Sequence, residues 1–311
     1  MFLSTIKLDT ITVNKRIFVP LRWGKTKMAI QWYPGHMRKA TREMTKILSS
    51  VDVILEVLDA RAPISTSNPV IKEITQGKPI ITLLNKSDLS DPIYNEKWID
   101  YFKQKQTLLI NAMTNESCKK IIDLISALTR KKIGKNTLAM VLGIPNVGKS
   151  SIINMLAGRK ITKTGNEPAI TKGQQKINLR NGIMLLDTPG VLWPKIEDPE
   201  SGLKLAALGS IRNTAVAYDQ IAPYIIKSLN QKYPETLKDR FKIESLTSDE
   251  YKTIETLAKK RGCISRGGIT DITRISEIIV DEFRRGLLGK VSLETPLLNS
   301  KLLNPKYLKE S

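Results

Sequence analysis

The 311-residue chain is short of reactive side chains. It carries one histidine, His36, and two cysteines, Cys118 and Cys263, which lie far apart and match no metal-ligand spacing. That pattern points to reduced thiols in a cytosol-like compartment rather than a disulfide framework. No apolar run is as long as the roughly 18 residues a membrane helix needs, so no membrane span is expected. Aromatic residues make up only 5% of the chain. No basic amphipathic helix with Trp or Phe anchors stands out, which argues against a lipid surface as the partner. Acidic residues are the largest deficit: 30 Asp+Glu stand against 50 Lys+Arg, a net charge of +20. Such an imbalance implies a polyanion, and nucleic acid is the one expected. The length suits two domains, or one and a half, with a large core.

Residues 1–27 contain Lys7, Lys15, Arg16, Arg22, Lys25 and Lys27 with only Asp9 against them, and no signal-peptide pattern. Two readings stand. One is a basic organelle-targeting leader. The other is an upstream extension of the reading frame, with Met28 the true start. The run Met28 to Met37 reads like the beginning of a folded domain, which favours the second, and residues 1–27 are left out of the expected fold.

What is present is organised around Gly143-Ile144-Pro145-Asn146-Val147-Gly148-Lys149-Ser150-Ser151, which contains G-x-x-x-x-G-K-S. Thr137 to Leu142 reads as a buried strand before it and Ser151 to Leu156 as a helix after it. Glycines let successive N–H groups face a phosphate, and the helix N-terminus adds positive potential. Lys149 can reach the β- and γ-phosphates, and the Ser150 hydroxyl can ligate Mg²⁺. Downstream, Ile183 to Leu186 reads as a strand ending in Asp187-Thr188-Pro189-Gly190. Asp187 can hold the water shell of Mg²⁺, and the Gly190 N–H can meet the γ-phosphate. Thr171 lies in the polar segment between these motifs. It is the expected second protein ligand for Mg²⁺, ordered when the γ-phosphate is bound.

Upstream, strands at Val51 to Leu58, Pro79 to Leu84 and Thr107 to Ile110 alternate with helices, which argues for a parallel sheet covered on both faces. The second strand ends in Asn85-Lys86-Ser87-Asp88. A carboxylate at Asp88 accepts two hydrogen bonds from the N1–H and N2–H₂ edge of guanine, a pair that adenine lacks. Lys86 can lay its stem along the base, Asn85 can tie this loop to the phosphate loop, and Asn111-Ala112 can offer an N–H to the guanine O6.

Base specificity therefore precedes the phosphate loop, the reverse of the ordinary order in GTPases. With Trp32-Tyr33-Pro34-Gly35-His36-Met37, Asp59-Ala60-Arg61, Asp187 to Lys195, and Lys260-Arg261-Gly262-Cys263 with Arg266-Gly267-Gly268, the chain resembles the YlqF/RbgA family of circularly permuted GTPases over roughly Met28 to Leu293. The resemblance implies an α/β fold, a circularly permuted P-loop GTPase domain at 28–204 followed by a smaller all-α domain at 205–311. It implies a GTP-hydrolysing assembly factor for the large ribosomal subunit, stimulated by that particle, binding GTP or GDP and rRNA and acting as a monomer. Localisation is expected to be cytoplasmic, or the mitochondrial matrix if 1–27 is a leader. RNA contact is expected from Lys260, Arg261, Arg266, Arg284 and Arg285, in a basic glycine-rich turn and the helix after it.

The permutation has a mechanical consequence. After Gly190 the chain leaves the sheet for good, so some later element is expected to anchor this switch. The position after D-T-P-G, where many GTPases carry a water-orienting Gln, is Val191. Neither Val191 nor Leu192 can orient water. His36, beside a Pro-Gly turn at a helix start, is the candidate, and the resemblance strengthens it. The resemblance also suggests a K⁺ ion held at Asn146 that neutralises charge as an arginine finger does.

Overall fold

The computed structural model describes residues 35–75, 77–103, 105–129, 136–162, 175–179 and 181–296. Helix α1 (Gly35–Ile47) leads through a short 3₁₀ turn into β1 (Val53–Asp59). Short helices α2 (Pro63–Thr66) and α3 (Pro69–Ile74) precede β2 (Ile80–Asn85). Then come α4 (Pro92–Tyr101), β3 (Gln106–Leu109), α5 (Asn115–Thr129), β4 (Thr137–Leu142) and α6 (Lys149–Ala157). The hairpin partners β5 (Gln175–Asn178) and β6 (Ile183–Asp187) complete the strands.

The six strands lie in the order β3-β2-β1-β4-β6-β5. All pair in parallel except β5, which runs antiparallel to β6. Composition explains the placement. β1, β2 and β4 are mostly apolar and buried almost throughout, as strands covered on both faces must be. β5 (Gln175-Lys176-Ile177-Asn178) buries only Ile177, and it takes the edge. Because neighbouring parallel strands share a direction, β1, β2, β4 and β6 all deliver their following loops to one edge of the sheet, where ligands bind in such folds.

Past β6 the chain is helical: α7 (Pro199–Ala207), α8 (Tyr218–Lys232), α9 (Pro234–Phe241), α10 (Glu250–Lys260) and α11 (Ile272–Arg284). Asp198, Asp249 and Asp271 cap α7, α10 and α11 through their carboxylates, a local signal for helix starts. α8 packs against both α10 and α11. The boundary expected at 204 falls inside α7, so the helical part starts near Pro199. The apolar core is also continuous. It runs from Val53 and Val57 on β1 through Ile144, Leu192 and Leu205 to Ile279 and Phe283 on α11.

The segment after Gly190 shares its core with the later helices and is also held by elements upstream of it. Val191 and Leu192 are buried in the core. Their backbone is held by elements that precede them in sequence: Asn68 Nδ2, at the start of α3, donates to the Val191 carbonyl at 2.7 Å, and the Leu192 N–H points at Met37 Sδ of α1 at 3.4 Å. The permutation places α1 and α3 upstream, and they fold back over the switch.

Candidate nucleotide-binding site

The phosphate loop joins β4 to α6 as a compact turn. Gly143 has φ +153, and a Cβ there would lie 2.6 Å from the Val57 carbonyl oxygen. Gly148 has φ +97, and a Cβ there would lie 2.2 Å from Asn85 Nδ2. Both positions therefore demand glycine. Lys149 begins α6, and its Nζ donates to the Ile144 carbonyl at 2.9 Å, folding the ammonium back across the mouth of the loop. Burial lowers its pKa to about 8, with Asp187 pulling the other way. Ser150 and Ser151 follow in the first turn of α6, half-buried.

β6 pairs with β4 so that Val141 stands opposite Asp187. Thr188 donates its hydroxyl to the Val141 carbonyl at 2.7 Å and fixes the chain as it leaves the sheet. Asp187 is buried, and neither carboxylate oxygen has a well-formed hydrogen bond. Burial raises its pKa to about 6, against the opposing pull of Lys149 and of the Thr188 backbone amide. A buried carboxylate left this way is costly on its own, and it is the kind of acceptor that suits a hydrated cation. Gly190 lies against the loop: a Cβ there would sit 2.8 Å from both Lys149 Nζ and the Pro145 nitrogen.

The base loop is tied to the phosphate loop by two direct bonds. Asn85 Nδ2 donates to the Val147 carbonyl at 2.9 Å, and Lys86 Nζ donates to the Asn146 carbonyl at 2.6 Å. Ser87 N–H donates to the Ile110 carbonyl at 3.1 Å, which sets the exposed Asp88 beside the Asn111-Ala112 turn. The Asn111 side chain accepts from Met113 N–H at 2.9 Å and closes that turn. So residues as many as 62 positions apart in sequence meet along one sheet edge. Thr171 and the His36 side chain lie outside the described residues.

The basic residues divide into two kinds. Lys260 and Arg266 are exposed at the end of α10 and in the turn beyond it, and Arg285 is exposed with Asp281 at 3.3 Å. Arg284 departs from the expectation of RNA contact. Its guanidinium donates to the Ala207 and Ala206 carbonyls at 3.0 and 2.7 Å and to Asn213 Oδ1 at 3.1 Å, satisfying the C-terminal end of α7. Arg261 is exposed as a residue but pairs with Glu282 at 2.6 Å and lies 5.0 Å from the Phe241 ring. Sequence reading missed Glu282, a buried carboxylate bridging Arg240 and Arg261. It also missed the bond from Asn146 Nδ2 to the Gly209 carbonyl at 2.6 Å, which ties the phosphate loop to the end of α7. Neither carries a local signal.

With its base loop upstream of its phosphate loop and both on one edge of a mostly parallel sheet, the fold is that of a circularly permuted P-loop GTPase. Residues 138–256 match the family described as 50S ribosome-binding GTPase. Ribosome biogenesis GTPase A of Bacillus cereus is 41% identical over 280 residues, covering 86% of this chain and 95% of that protein. Mitochondrial ribosome-associated GTPase 1 of Ictalurus punctatus is 36% identical over 302 residues, covering 88% and 94%. Among solved structures, GNP-bound YlqF from T. maritima is 30% identical and superposes with a TM-score of 0.57 over 83% of this chain and 98% of that one. The chain belongs to the YlqF/RbgA family of ribosome biogenesis GTPases.

Proposed function

We propose that the chain binds GTP along the edge formed by the ends of β2, β4 and β6 and hydrolyses it while assisting assembly of the large ribosomal subunit. One observation carries this reading: Asn85 and Lys86 hydrogen-bond directly to the backbone of the phosphate loop, so a guanine-selective loop and a phosphate cradle form a single rigid site. Asp88 and the Asn111-Ala112 turn read the base. The loop amides and Lys149 hold the β- and γ-phosphates. The orphaned, buried Asp187 with Ser150, and Thr171 from the intervening segment, form the donor set for Mg²⁺. Mg²⁺ would neutralise charge on the β- and γ-phosphates.

In hydrolysis a water oxygen bonds to the γ-phosphorus as the bond to the β–γ bridging oxygen breaks, and that electron pair leaves with GDP. Val191 and Leu192 are buried and apolar, so orientation of the water falls to another group. His36 is assigned that role. The support is positional: Met37, the next residue, contacts the Leu192 backbone, so α1 begins against the segment after Gly190. The assignment fails if His36→Ala leaves ribosome-stimulated hydrolysis unchanged. A K⁺ ion at Asn146 belongs to the same proposal, and it is discarded if Na⁺ supports the same rate.

Lys260, Arg266 and Arg285, with the overall +20 charge, supply the contact to rRNA. Among the described residues no helix is long and apolar enough to cross a membrane. The decisive experiment is co-sedimentation with large ribosomal subunits in the GTP-analogue, GDP and nucleotide-free states. Association that ignores the nucleotide would overturn the proposal, as would ATP competing as well as GTP.

A further inference from the structure

Asp59-Ala60-Arg61 ends β1 and plays no part in the chemistry above, yet both charged residues are only 1% exposed. Charges are seldom buried so completely unless paired. Arg61 grips both oxygens of Asp59, with Nε on Oδ1 at 3.0 Å and Nη2 on Oδ2 at 2.9 Å. Oδ2 also accepts from Lys86 Nζ at 3.0 Å. Lys86 itself sits at φ +62 in the loop after β2, where no ladder or helix fixes it. Two acceptors fix its ammonium instead: the Asp59 carboxylate and the Asn146 carbonyl. The far side of Arg61 is closed by the C-terminal helical part. Nη1 donates to the Phe283 carbonyl at 3.3 Å, and the guanidinium lies 5.2 Å from the Phe283 ring. The Arg61 carbonyl accepts from the Leu293 and Glu294 amides at 2.8 and 3.3 Å.

One buried cation, Arg61, and one partly exposed cation, Lys86, therefore share one buried carboxylate. The attraction of the paired charges holds the Asp59 carboxyl far below its ordinary value despite its burial, so it stays ionised. A bidentate guanidinium fixes the plane of the carboxylate and so decides where its free lone pair points. Without it, Asp59 keeps only the Arg61 backbone N–H on Oδ1 at 3.1 Å and turns most of its charge on Lys86, drawing the ammonium off the Asn146 carbonyl and the alkyl stem off the plane of the base.

We propose that Arg61 is a positioning residue for guanine recognition, acting through Asp59 on Lys86, and that docking of α11 completes it. The inference rests on the guanine-site reading above. It makes the C-terminal helical part a component of the base site, since Phe283 caps the residue that orders Lys86.

The test is the dissociation rate of a fluorescent GDP from the full chain, measured by stopped flow for wild type, Arg61→Ala, Lys86→Met and the double variant. Lys86→Met keeps the stem and removes the ammonium. Arg61→Ala is expected to speed release on the order of tenfold, the loss of about one charge-assisted hydrogen bond. The double variant is expected to release no faster than Lys86→Met, because Arg61 acts only through that side chain. An unchanged rate in Arg61→Ala, or effects of the two substitutions that multiply, would overturn the inference. If Arg61→Ala does not give a native circular dichroism spectrum, Arg61→Lys replaces it. This variant keeps the charge and loses the bidentate grip, and the same non-additivity is expected. A wild-type chain that retains no guanine nucleotide would instead refute the guanine reading of the site.

Discussion

Asp187→Asn is expected to make the nucleotide-free protein more stable while abolishing its function. In the folded chain burial lifts the Asp187 carboxyl from 3.8 to about 6. At about 1.4 kcal/mol per pH unit, holding it ionised at neutral pH costs the fold ~3 kcal/mol. Asparagine carries no such charge. It also deprives Lys149 of the one charge that offsets its burial, so part of the gain is lost and a net ~1–2 kcal/mol remains. For a chain of this size that corresponds to a rise of roughly 2–6 °C in Tm. The sign follows from the direction of the shift. A raised carboxyl pKa is a penalty present in full above the folded value and absent below the unfolded one. The gap between variant and wild type should therefore be widest above pH 6 and close as the pH falls towards 4. Thermal unfolding without nucleotide, followed by circular dichroism from pH 4 to 8, measures it. Saturating Mg²⁺ and GTP should reverse the ranking at pH 7.5, since only the wild type offers a carboxylate to the hydrated cation. A variant no more stable than wild type at pH 7.5, or a gap that persists unchanged at pH 4, would refute the reasoning.

Four further outcomes are expected. Asp88→Asn replaces an acceptor pair by one donor and one acceptor, so GTP affinity should fall by on the order of 100-fold while xanthosine triphosphate, which offers a carbonyl at C2, binds better; competition against a fluorescent nucleotide reads both. Gly190→Ala forces a methyl against Pro145 and Lys149, so GTP turnover should drop at least tenfold, with GDP affinity within about threefold of wild type, in single-turnover assays. Lys260→Ala and Arg266→Ala should each weaken binding to a large-subunit rRNA fragment and reduce the salt slope by about 1, with no change in GTP affinity; Arg284→Ala should instead lower Tm, by a few degrees, because its guanidinium satisfies the end of α7.

Much of this protein is written locally. The phosphate loop declares itself because a phosphate needs consecutive backbone amides, and only a particular spacing of glycines provides them. Asn85-Lys86-Ser87-Asp88 and Asp187-Thr188-Pro189-Gly190 are legible for the same reason, since each is a short run at the end of a strand. The strands were legible because β1, β2 and β4 are buried on both faces and are therefore mostly apolar. The order of these motifs along the chain was enough to reveal the permutation. Helices were less so: α9 has a proline start and a weak stripe, and it was not anticipated.

What the sequence alone determined is which nucleotide the site is built for and the cyclic order in which its parts are strung. Only the tertiary structure decided which charges are spent inside the molecule. Arg284 reads as a cation for a polyanion until the end of α7 is seen beside it. Arg61 reads as part of a family signature until Phe283, 222 positions away, closes over it. An arginine looks the same in sequence whether its partner is water, phosphate or a carbonyl. Its role is set by acceptors that only folding brings within hydrogen-bonding distance.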